Sequence, residues 1–316
     1  MRDIVLRRSL PVAPEALPAR RHLPLAPESR AADQVRPIYA VWEITLRCDL
    51  ACVHCGSRAG RARPDELTTA ECLDLVDQMA DLGVREVTLI GGEAYLRDDW
   101  LDIVRALRRR GLQASMTTGG RGLTSERANA AAAAGLQSAS VSLDGLEATH
   151  DRLRGVRGSY QSALAALANL RAAGIGICVN TQVNRLSMPE LPAILETVIA
   201  VGGKAWQVQL TAAMGRAADQ PELLPQPFDL LELFPMLAEL KGRCDEASVR
   251  LWPGNNLGLF WPLRVSPARD HATRAHGLMW RRAQHAGNRG GWGHQRLSVA
   301  ANQPLDRGQH PRRFAA

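Results

Sequence analysis

From Ile38 to about Lys241 the chain repeats one pattern: a short apolar run, then a stretch with apolar residues at helical spacing. Such alternation makes a parallel sheet whose strands are joined by crossover helices. The spacing predicts strands over 39–46, 87–90, 113–117, 138–143, 175–183 and 206–210. Helices are expected behind Thr68 and over 100–110, 126–134, 160–173, 189–201 and 228–241. The first opens on a capping box, Thr68-x-x-Glu71, and carries Cys72, Leu75, Val76, Met79 and Leu82 on one face before Gly83 ends it. Cys72 therefore reads as core. Cys178, inside a strand, reads as buried rather than as a ligand, and Cys244, after the last helix, as a bystander. Six β/α units predict an α/β fold whose chemistry sits on loops at the carboxyl ends of the strands.

The loop after the first strand carries Cys48, Cys52 and Cys55, a C-x3-C-x2-C triplet within eight residues. Three thiolates so close can converge on one iron–sulfur cubane. A [4Fe–4S] cluster normally takes four cysteine thiolates. With three, one iron stays open, as a catalytic metal keeps an open position. Structural zinc is the alternative, and His54 would be its fourth ligand, but its adjacency to Cys55 makes joint ligation awkward.

Two further motifs end strands. Gly91-Gly92-Glu93 follows the second; glycines let the backbone approach a ligand closely, and a carboxylate can accept from an ammonium. Ser142-Leu143-Asp144-Gly145 follows the fourth, with His150 to Gly155 behind it. Taken alone, the first reads equally as a strand-to-helix turn and the second as an Asp-Gly turn before a charged helix start. Thr117-Thr118-Gly119-Gly120 ends the third strand as a turn that lines a pocket or merely reverses the chain. Asn180, Gln182, Gln207 and Gln209 recur at period two in strands five and six, either facing a lumen or satisfied in the core.

Together these motifs resemble the radical S-adenosylmethionine (SAM) superfamily over about 38–256. The resemblance implies a partial (βα)6 barrel, a [4Fe–4S] cluster on Cys48, Cys52 and Cys55, and SAM bound to the open iron. It places His54 near the adenine and Gly91, Gly92 and Glu93 at the methionyl amino group, with the match running on through Ala94-Tyr95-Leu96-Arg97. It puts Ser142 near the SAM carboxylate or ribose, Arg154 at the carboxylate, and Asp144 and Thr118 along the pocket. The implied activity is reductive cleavage of SAM followed by hydrogen abstraction from a substrate. Trp252 to Asn256 resembles the start of the cysteine-rich SPASM extension of peptide-modifying members. A ribosomally made peptide is therefore the expected substrate, and a small molecule of cofactor biosynthesis the alternative. Flavodoxin or ferredoxin is the expected electron donor.

The net charge of +7 invites a nucleic-acid partner, but its distribution excludes that reading. Residues 260–316 hold ten Arg and only Asp270 and Asp306; without them the chain has 29 basic and 30 acidic residues. The same tail holds five of the eight histidines and three of the seven tryptophans, and has no helical or strand period. It reads as a disordered basic arm or as a stretch out of frame. Met279-Trp280 can only be ATG TGG, and one nucleotide later this gives Cys-Gly. The same offset lets 259–262, 284–294 and 296–312 read as strings resembling the SPASM extension. The expected organisation is a flexible leader at 1–36 with a short strand at Ile4 to Leu6, and a barrel core at 37–245. The start of the extension follows at 246–258, and an out-of-frame tail at 259–316. A third reading is a non-catalytic remnant that has lost its substrate module. Six cysteines, no signal peptide and no membrane-spanning apolar run point to a reducing cytoplasm.

Overall fold

The computed structural model describes residues 37–254, Leu257 and the backbone of Arg296 and Leu297. Within it, alternation of side chains builds one parallel sheet. Its strands are β1 (Tyr39–Thr45), β2 (Glu86–Gly91), β3 (Gln113–Thr118), β4 (Ser138–Ser142), β5 (Gly176–Val183), β6 (Ala205–Leu210) and β7 (Arg250–Pro253), paired in sequence order. Arg296–Leu297 (β8) pairs in parallel with Val41 and Trp42 beyond the other edge of β1. The helices are α1 (Thr69–Asp81), α2 (Trp100–Arg109), α3 (Ser125–Ala134), α4 (Glu147–Arg154), α5 (Ser159–Ala172), α6 (Leu191–Ala200) and α7 (Leu230–Glu246). This is the expected α/β architecture of a partial barrel, six β/α units joined by crossover helices, with β7 and β8 added at the edges of the sheet.

Register sorts each strand into two faces. Trp42, Leu89, Met116, Val141, Val179, Trp206 and Val208 join the helices in one continuous core. The opposite, inner face is polar: Thr88, Ser115, Ser140, Ser142, Asn180, Gln182, Gln207 and Gln209 share it. Towards the amino-terminal end it is closed by a hydroxyl ladder. Tyr39 Oη bonds Thr88 Oγ1 at 2.9 Å, which bonds Ser115 Oγ at 2.7 Å.

The capping box of α1 forms as expected, with Thr68 accepting from Glu71 N and Glu71 reaching back to Thr68 N. Four features differ from the sequence reading. Residues 147–154, taken as a charged helix start, form the separate helix α4, closed by Gly155 in the left-handed region (φ 66°). The sheet continues past residue 245, because Arg250–Pro253 adds β7 beside β6. Cys178 is half-buried on the inner face with Asn180 and Gln182, since its neighbours Ile177 and Val179 take the core side. Cys244 lies inside α7 and is fully buried, because that helix runs on to Glu246. The expected leader at 1–36 lies outside the described residues, as does the expected tail at 259–316 apart from the β8 backbone. No helix among the described residues is long and apolar enough to cross a membrane.

One buried polar bridge holds β4, β5 and β6 together. Thr181 Oγ1 donates to Leu143 O at 2.7 Å and accepts from Trp206 Nε1 at 2.8 Å. Thr181→Val keeps the shape but orphans both partners. It is expected to cost about 1–3 kcal/mol, read as a lower urea midpoint; an unchanged midpoint would contradict the bridge.

Candidate functional site

The cysteine loop is tied down from three sides. First, it continues the β1–β2 ladder: Gly92 N donates to Thr45 O and Glu93 N to Arg47 O, each at 2.8 Å. A methyl group on Gly92 would stand 2.2 Å from Arg47 O and 2.7 Å from Cys48 Cβ. The close approach that glycine permits here is therefore to the cysteine loop itself. Second, the last turn of α4 receives the loop, with Ala51 N bonded to Arg154 O at 3.1 Å and Val53 N to Leu153 O at 2.9 Å. Third, the segment after β6 reaches across, and Arg216 N donates to Cys55 O at 2.9 Å. Arg97, at the end of the Gly-Gly-Glu motif, braces the same region through Ile44 O and Leu67 O.

The thiols sit among donors. Cys48 Sγ accepts from Leu50 N and Cys55 Sγ from Ala59 N, each at 3.4 Å, and Arg154 Nη1 lies 3.7 Å from Cys52 Sγ. Burial pushes the Cys48 thiol up to about 12 and raises Cys52 as well, against the pull of Arg154. Alone, these thiols stay protonated; a coordinated metal would supply the charge that deprotonates them. Ligands of one tetrahedral zinc at about 2.3 Å stand only about 3.8 Å apart. Among the described residues, the ligand atoms that close within 4.8 Å of one another belong to Cys48, Asp49 and Glu93, not to the three thiols. The three thiols are thus not gathered at the spacing of a single zinc ion.

Around Cys48 lies an acidic corner. Glu93 is 2% exposed; its Oε1 accepts from Gly119 N at 2.6 Å and its Oε2 from Thr118 Oγ1. Burial nonetheless pushes its carboxyl up to about 7. Asp49 Oδ1 is buried without a partner among the described residues. Neither carboxylate has a cation paired to it there, so the corner suits an ammonium. Asp49 was missed by sequence reasoning; its position next to Cys48 was the available signal.

Around Cys52 lies a second cluster, with Asp144 at its centre. Asp144 Oδ2 accepts from His54 Nε2 at 2.9 Å and from Arg154 Nη2, and Oδ1 accepts from Gln182 N at 2.8 Å. Its own N donates to His150 Nδ1 at 3.1 Å. Burial opposes ionisation, but Arg154 and His54 outweigh it and hold the Asp144 carboxyl well below the usual range. His150 is pushed down to about 4, first by burial and then by Arg154, so it stays neutral and can accept. His54 is therefore held by Asp144, with only Nδ1 open, and Arg154 keeps one open donor, Nε. Ser142 stands half-buried at the tip of β4, in register with Asn180, whose Oδ1 is also unpartnered. The structure thus gathers Glu93 and Thr118 at Cys48, and His54, Asp144 and Arg154 at Cys52.

Residues 42–191 match the model of the Radical SAM superfamily. The chain carries a radical SAM domain. The AdoMet-dependent heme synthase of Methanosarcina barkeri is 34% identical over 61% of this chain and 56% of its own length. The mycofactocin maturase MftC of Mycobacterium tuberculosis is 34% identical over 58% of this chain and 47% of its own. The chain thus spans about half the length of these curated relatives. Among solved structures, Streptococcus suis SuiB bound to S-adenosylmethionine superposes with a TM-score of 0.59 at 18% identity, covering 69% of this chain and 50% of SuiB. That likeness shows the fold.

Radical SAM proteins use SAM and an iron–sulfur cluster, and the residues here fit both. Three spread thiols offer cluster ligands. Buried, unpartnered acceptors (Asp49 Oδ1, Asn180 Oδ1, and His54 Nδ1 of a ring whose Nε2 donates to Asp144) and a donor (Arg154 Nε) offer both signs of partner to a zwitterionic amino-acid group. The Asp144–Arg154 pair is also costly to break from one side. Asp144→Ala leaves Arg154 buried and unpaired, which is expected to cost about 3–5 kcal/mol. Thermal melts of cofactor-free protein check this; an unchanged midpoint would contradict it.

Proposed function

We propose that this radical SAM protein cleaves SAM reductively and takes hydrogen from a ribosomally made peptide. Cys48, Cys52 and Cys55 would hold a [4Fe–4S] cluster, Glu93 and Asp49 the ammonium of SAM, and Ser142 with Arg154 Nε its carboxylate. His54 and Thr118 would line the same pocket. When bound, the pair supplies a one-electron cleavage whose product abstracts a hydrogen atom. The chain's own part is to orient SAM and substrate and to exclude water. A flavodoxin or ferredoxin would supply the electron, in the cytoplasm.

The observation that carries the peptide reading is the inner face of the sheet. In its carboxyl half, β4, β5 and β6 present Ser140, Ser142, Asn180, Gln182, Gln207 and Gln209, hydroxyls and amides without a Lys or Arg. None of the four amide side chains has a hydrogen-bond partner among the described residues. Peptide groups are neutral and need both donors and acceptors, which amides supply. A substrate with several carboxylates would need cations, and these positions of the inner face present none. The similarity to a heme synthase favours a second reading, a tetrapyrrole-like small molecule.

The test is anaerobic reconstitution, reduction and measurement of 5′-deoxyadenosine. Cys52→Ala is expected to abolish its formation; formation at the parent's rate would sink the cluster assignment. A short peptide encoded beside this gene is expected to stimulate the parent, and Gln207→Leu to blunt that stimulation. Stimulation by a polycarboxylate tetrapyrrole and not by peptide would decide for the second reading.

A further inference from the structure

We infer that Arg216 is a positioning residue for the iron–sulfur cluster: it sorts the amides of the cysteine loop and sets a positive charge behind the cluster. The inference rests on the cluster reading above.

Arg216 lies in the single helical turn Gly215–Asp219 after β6, across the sheet from β1. Its Nε donates to Cys52 O at 2.7 Å, its Nη1 to Ala59 O at 2.9 Å, and its backbone N to Cys55 O at 2.9 Å. One residue thus takes three carbonyls of a single loop. The same loop turns the N–H groups of Leu50 and Ala59 towards Cys48 Sγ and Cys55 Sγ. Carbonyls on one side and amide hydrogens on the other is the polarity that a thiolate-bound, anionic group requires. Gly215 makes the approach possible. Its φ is +54°, and a methyl group there would stand 2.3 Å from Cys55 O and 2.4 Å from Gly56 O. Any larger residue would push Arg216 off the loop.

The charge of Arg216 is also unspent. No carboxylate pairs with it among the described residues, while nearby Arg58 pairs with Asp219. Net charge and hydrogen bonds around the sulfurs set the potential of a cluster. A guanidinium behind Cys52 and Cys55 favours the reduced, more negative state. Supporting groups of this kind typically change metal affinity by about 10–100-fold.

The test compares the full chain with Arg216→Ala, Arg216→Gln and Arg216→Lys after anaerobic reconstitution, with Arg58→Ala as the control for the exposed ion pair. Iron per chain, the midpoint potential by EPR titration, and amide exchange over 48–60 in cofactor-free protein are measured. Arg216→Ala is expected to bind the cluster at least about ten-fold more weakly and to speed exchange in the loop. Arg216→Gln is expected to shift the potential to more negative values, and Arg216→Lys to restore it towards the parent; a merely structural residue would not order the potential by charge. If Arg216→Ala does not fold, the Gln and Lys pair carries the test. Parent-like iron binding and potential in all the variants would overturn the inference alone. A parent that binds no iron would overturn the cluster reading and this inference with it.

Discussion

Three thiols on a short loop can act together only if the loop is held from outside. The eight residues from Cys48 to Cys55 form no helix or strand of their own, so their backbone groups must find partners elsewhere. They find them at the end of α4 and in the segment after β6, while Arg47, just ahead of them, bonds the turn after β2. Those three partners are also where Glu93, Arg154 and Arg216 stand. Holding the loop and assembling the site are therefore one structural event. The parallel sheet makes this possible, because its strands all deliver their loops to the same edge.

The buried ions follow the same economy of position. Asp144 and Arg154 are both nearly inaccessible, and each alone would be costly to bury. Together, with Gln182 N and His54 satisfying the remaining carboxylate lone pairs, they form a closed set around Cys52. Glu93 is the opposite case: it is buried and hydrogen-bonded, but among the described residues no cation forms an ion pair with it. That contrast is the ground for proposing Glu93 as the partner of a cationic group.

Much of this was legible in the sequence. The alternating apolar and helical periods gave the six strands and their crossovers, because each is a local pattern that the sheet then repeats. Cys48, Cys52, Cys55, Glu93 and Asp144 stood out because each closes a strand with a compact motif. Three things were not legible. Arg216 binds residues 157 and 164 positions away, and no local period announces such a contact. The role of the glycines in Gly-Gly-Glu depends on the neighbouring loop, so a ligand was the natural guess for what they approach. The extent of the short helix α4 was hidden because its charged residues, Glu147, Asp151 and Arg152, read only as a charged helix start, while burial of His150, Leu153 and Arg154 appears only in three dimensions.

The central claim is that three thiols hold a cluster with one open iron, at which SAM binds with its amino group against Glu93. The most direct measurement is electron–nuclear double resonance of the reduced, reconstituted protein with SAM labelled with 15N at the amino group. The account predicts a hyperfine coupling between that nitrogen and the cluster, lost in Glu93→Ala. A cluster whose signal is unchanged by SAM, with no nitrogen coupling, would contradict it.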